Sequence, residues 1–187
     1  MCQPAAQASK AFPITALSVR VLTLIFLLAS LIVLATDTAT FRNLASREVT
    51  LRFKNIYAYR YMLSANVIGL AYTLLQIPFA IHHVSLGKRV INHVSLLYFD
   101  FFGDKVILSL LATGVGAGFG ATSDLKENLD QLDRFTARIG YPVLSEIRPK
   151  GDNFFNTGFV SASLLLMGFL CSAVSSIISS LALSIKE

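Results

Sequence analysis

YFDFFGDKVILSLLATGVGAGFG, residues 98–120, puts Asp100 and Asp104 at the entrance of a long apolar run. A soluble core disfavours an unpaired carboxylate there, and hydrocarbon disfavours it more. Downstream of Asp104 the stretch holds no charge after Lys105, and its second half is rich in glycine. The reading that fits both features is a membrane-crossing helix with one buried acid and a surface made for close packing.

The rest of the chain supports a membrane setting. Of 187 residues, 54% are hydrophobic and only 14% charged, and the mean hydropathy is +0.63. A soluble domain is about a quarter charged. Apolar runs at Thr15 to Thr36, Tyr61 to Ile81, Leu96 to Ala121 and Phe155 to Ile185 each reach the roughly 20 residues needed to cross about 30 Å of hydrocarbon. The expectation is an all-α membrane protein: one domain over 1–187, a four-transmembrane-helix bundle with helices at about 15–36, 60–81, 96–121 and 155–184. The first run is too long for the apolar core of a signal peptide and is interrupted by Arg20, so it reads as a retained helix. A soluble bundle would need polar outer faces, and IFLLASLIVLA and VIGLAYTLLQIPFAI have none.

Three connections join the helices. Residues 37–58 and 82–95 read as ordinary loops, the second short and basic. Residues 122–154 form the longest and most acidic connection. Within it Leu125, Leu129, Leu132, Phe135 and Ile139 predict a short amphipathic helix ending at Tyr141-Pro142. Both termini share a side with the short basic loop. That side carries Lys10, Lys88, Arg89 and Lys186, while the other carries Arg42, Arg47, Arg52, Lys54, Arg60, Lys126, Arg134, Arg138, Arg148 and Lys150. The raw count favours termini outside, the density of charge beside the short loop favours the reverse, and the positive-inside rule leaves orientation open.

Two charges lie inside the spans. Arg20 and Asp104 fall roughly 8 and 12 Å from the starts of the first and third helices, which run in the same direction. A mutual salt bridge would offset part of their insertion cost; the plainer alternative is that Arg20 snorkels and Asp104 takes a proton or a water. Beyond Asp104, Gly114/Gly118 and Gly116/Gly120 form two rows at four-residue spacing, with Ala112 extending the second. Such rows let a neighbouring backbone approach closely in lipid. GVGAGFG lacks the preceding strand of a dinucleotide site, and Phe119 stands where its third glycine belongs. The fourth helix adds Gly158/Ala162 and a serine face of Ser172, Ser175, Ser176, Ser179 and Ser180.

Catalytic chemistry has little to work with. Cys2 and Cys171 are too far apart in the path for a disulfide and too few for zinc, although Cys2 is a candidate for palmitoylation. His82, His83 and His93 all fall in the basic loop, not on facing helices where a membrane haem would want them. No catalytic, cofactor or metal residue is assigned, and the pI of about 9.4 reflects dispersed bases, not a nucleic-acid surface. Two classes remain: a non-enzymatic scaffold, or a small proton or ion channel using Arg20 and Asp104.

SVRVLTLIFLLASLIVLATDT, with one arginine after a short tail, and FFGDKVILSLLATGVGAG, with one aspartate before a small-residue run, resemble the Casparian strip membrane protein-like proteins of plants. The family is distantly similar to four-helix proteins of the MARVEL type. The resemblance implies that Arg20 and Asp104 are its signature pair and that both termini are cytosolic. It implies a multi-pass plasma-membrane scaffold that forms homodimers, heterodimers or higher oligomers with related four-helix proteins, organises a membrane domain and recruits machinery acting on the cell wall. The implied partners are those proteins and membrane lipid, with no nucleic acid and no small-molecule substrate. The first outer loop lacks the acidic-aromatic stretch of the best-known members, and the second lacks their cysteine pair, which points to the broader "like" group.

Overall fold

The computed structural model describes the backbone of residues 5–42, 48–86, 94–138 and 148–184, and the side chains of 14–38, 52–81, 101–138, 148–178, 180 and 181. Four helices dominate: α1 (Ala5–Thr36), α2 (Tyr57–Leu86), α3 (Val94–Arg138) and α4 (Arg148–Ser184). All four are long and apolar enough to cross a membrane. Their outward residues are apolar too. Ile25, Leu75, Val106 and Ile177 are each more than half exposed, a surface that suits lipid and not water. The protein is a four-helix membrane bundle.

Each helix packs against its neighbours in chain order, and α4 closes the ring on α1. The α2–α3 seam keeps one antiparallel register along its length: Gly69 meets Leu111, Ala65 meets Gly114, Met62 meets Gly118 and Tyr59 meets Thr122. Across α3–α4, Gly114 meets Leu165, Gly118 meets Ala162 and Thr122 meets Gly158. The core is built of Leu27, Leu34, Met62, Leu111 and Leu165, with Tyr59 and Phe154 toward the end away from the termini.

Two connections differ from the expected loops. Residues 38–52 hold a two-stranded antiparallel hairpin, β1 (Thr38–Arg42) against β2 (Glu48–Arg52), followed by a 3-10 turn at Phe53–Asn55. Thr40 pairs with Thr50, Phe41 with Val49 and Arg42 with Glu48. The short amphipathic helix is the continuation of α3. Between Gly120 and Arg138 the sequence has neither proline nor glycine, so nothing stops the helix, and its 45 residues span about 67 Å.

That length carries α3 well past the bilayer, where the first turns of α4 accompany it. A Cβ at Gly151 would stand 2.8 Å from Leu129, and Arg148 bonds Asp133 and, at 3.0 Å, Asp130. Pro149 sits in the first turn of α4, where its missing N–H costs no helical bond.

Candidate functional site: a stack of polar layers in the bundle

Asp104 is 5% exposed and held by α2. The Tyr72 hydroxyl and the Gln76 side-chain N–H both donate to its Oδ1 at 2.8 Å. Gly103 permits this, because a Cβ there would lie 2.7 Å from the Tyr72 oxygen. Oδ2 has no hydrogen-bond partner among the described residues. Arg20, half-buried on α1, donates from Nε to Ser175 Oγ of α4 at 3.5 Å.

The expected salt bridge between Arg20 and Asp104 is therefore not formed. Depth is not the reason, since both occupy the end of the bundle nearest the termini. Helices α1 and α3 stand on opposite corners of the ring, and each charge is met first by a polar residue on an adjacent helix. Tyr72, one turn before Gln76 on α2, is the site residue that the sequence reading missed.

The helix register groups most of the buried polar residues into three layers, leaving Thr23 and Thr73, each bonded back to its own helix, outside them. The layer nearest the termini contains Arg20, Gln76, Asp104, Ser175 and Ser176. The middle one contains Ser30, Asn66 and Ser161, where each serine hydroxyl donates to the other's carbonyl at 2.9 Å. The far one contains Asp37, Tyr59 and Thr122, with the two hydroxyls 2.8 Å apart. Among the described residues, the buried polar side-chain atoms without a partner all fall in these layers: Asp104 Oδ2, Ser176 Oγ, both amide atoms of Asn66 and Asp37 Oδ2. Asp37 lies just outside the first span, and burial pushes its carboxyl up to about 7.

Apolar layers separate them. Leu27 and Leu111, both fully buried, meet over Gly69 and Gly168, where added Cβ atoms would lie 2.9 Å from Leu111 and 2.8 Å from Leu27. Beyond the middle layer, Met62 and Ala162, fully buried like Leu34, close around Gly118.

The glycine rows divide. Gly114 and Gly118 are buried against α2 and α4, with Cβ positions 3.0 Å from Ala65 and 2.7 Å from the Met62 sulfur. Gly116 and Gly120 have nothing within 4 Å and, with Ala112, form an exposed row. A helix offset of two residues turns that second row to the outer face, away from α2 and α4. Gly158 and Ala162 of α4 pack as expected, on Tyr59 and Gly118. Cys171 is a half-buried free thiol. Cys2, His93 and the side chains of His82, His83, Asp100 and Ser179 lie outside the described residues.

Comparison with known proteins follows the same outline. A family model for the Casparian strip membrane protein domain matches residues 9–145. The chain is 48% identical to CASP-like protein 4D1 of Ricinus communis, over 94% of each chain. It is 45% identical to CASP-like protein 4D1 of Populus trichocarpa, over 92% of this chain and 88% of that one. Against CASP-like protein 4D2 of Arabidopsis thaliana the identity is 44%, over 90% and 88%. No solved structure matches the chain.

Proposed function

Because the chain belongs to the CASP-like family, defined by the Casparian strip membrane protein domain, we propose that it is a non-enzymatic scaffold of the plasma membrane. It assembles with copies of itself and with related four-helix proteins into a membrane domain and positions machinery that acts on the adjoining cell wall. Both termini face the cytosol, and the β-hairpin and the α3–α4 projection face outward.

The observation that carries the reading is the closed interior. The polar layers would be the stations of any ion path, but the Leu27–Leu111 layer interrupts them between Asp104 and Asn66. The favourable chemistry lies instead on the outside, where Ala112, Gly116 and Gly120 leave one face of α3 open to a neighbouring helix. The competing reading is a channel using Arg20 and Asp104. A fluorescent fusion in the plasma membrane separates the two. A scaffold recovers slowly after photobleaching and adds no conductance; free diffusion together with a current abolished by Asp104→Asn overturns the proposal.

A further inference from the structure

Ser176 differs from most of the described helical hydroxyls. Ser18, Thr23, Ser64, Thr73, Ser109, Ser163 and Ser180 each donate to the carbonyl four residues earlier, at 2.8–3.0 Å. That bond is how a serine hides its hydroxyl in an apolar setting. Ser176 is 2% exposed and makes no such bond. The register that sets Gly118 against Ala162 and Gly114 against Leu165 brings Ser176 to the level of Asp104 across the α3–α4 seam. Asp104 Oδ2 is likewise buried and without a partner. Two unsatisfied polar groups thus share one layer, on adjacent helices, each at the cost of a lost hydrogen bond.

We propose that this layer is a water-binding site, in which one internal water donates to Asp104 Oδ2 and hydrogen-bonds Ser176 Oγ. A buried water needs two to four polar partners, roughly three on average. Asp104 and Ser176 supply two, and Arg20 reaches the same layer from the α1–α4 side through its bond to Ser175. Charge balance selects a neutral ligand, because the layer already contains one guanidinium and one carboxyl group, so a bound cation would leave an excess positive charge in a poorly solvated place. The Leu27–Leu111 layer confines the water to the end of the bundle nearest the termini. The site is independent of the scaffold reading.

The test is a structure of the full chain in lipid nanodiscs, at a resolution that shows ordered waters, joined to a double-mutant cycle on thermal unfolding. One oxygen is expected within hydrogen-bonding distance of both Asp104 Oδ2 and Ser176 Oγ. Ser176→Ala is expected to lower the unfolding midpoint of the wild type and to have a smaller effect in Asp104→Asn, which keeps the shape of the side chain. An empty layer, a direct Asp104–Ser176 bond, or equal shifts in the two backgrounds overturns the proposal. If Asp104→Asn does not fold, the density in the wild type decides alone.

Discussion

Asp37 follows directly on the first membrane span, is 7% exposed, and has one carboxyl oxygen without a partner. Its carboxyl rises from 3.8 to about 7 because burial penalises the charged form. The folded protein therefore keeps a proton that the unfolded chain gives up between about pH 4 and 7, so stability falls as pH rises through that window and levels off above it. Thermal unfolding in detergent is expected to show a midpoint that declines from pH 5 to pH 8, and Asp37→Asn is expected to flatten much of that decline. An unchanged slope in the variant would place the titration elsewhere. At this scale the sequence made the unusual residues legible and hid their partners. Arg20 and Asp104 stood out as charges in apolar runs, and their common depth followed from helix rise. That Tyr72, Gln76 and Ser175 would meet them depends on the order of helices around the ring, which no local pattern encodes.

Along single elements, α3 is the clearest case. Its two glycine rows look alike in sequence, yet they lie on different faces and should respond differently to the same substitution. Gly118→Leu drives a side chain into Met62 and Ala162, and overpacking of this kind costs about 1–3 kcal/mol. A lower unfolding midpoint of the monomer in detergent is the expected result. Gly116→Leu meets nothing within 4 Å and should leave that midpoint in place while weakening self-association, read by crosslinking or by mass in mild detergent. Equal destabilisation by both would contradict the division of the rows. The outer end of α3 makes a milder forecast. Arg148 is 46% exposed where it bonds Asp130 and Asp133, and exposed ion pairs contribute about 0.2–1 kcal/mol. Arg148→Met should shift the midpoint slightly, with the shift shrinking in high salt. Helix continuity past Ala121 was readable from the missing Pro and Gly, and the hairpin from its Thr, Val and Phe content. Both were obscured by treating the end of an apolar run as the end of an element.

For the whole molecule, the four spans were legible because a bilayer sets helix length and demands apolar side chains all round. Chain order then fixed the alternating directions. The stacking of polar and apolar layers was not legible, since it arises only when four helices share one register. That stacking makes the Leu27–Leu111 layer the point on which the bundle depends most. Leu111 is fully buried and faces Gly69, which has no side chain to refill a gap. Truncating a buried leucine costs about 2–5 kcal/mol, with the larger values where the site cannot collapse. Leu111→Ala is thus expected near the upper part of that range, as a fall in unfolding midpoint or in accumulation at the cell surface. Leu111→Met, which keeps most of the volume, should cost less than about 1.5 kcal/mol. The comparison separates a packing role from a gate. A gate residue would leave both variants stable and give Leu111→Ala an ionic current, whereas a structural plug gives a graded loss of stability and no current in either. A stable, conducting Leu111→Ala would overturn the closed-bundle account and, with it, the main physical argument against a channel.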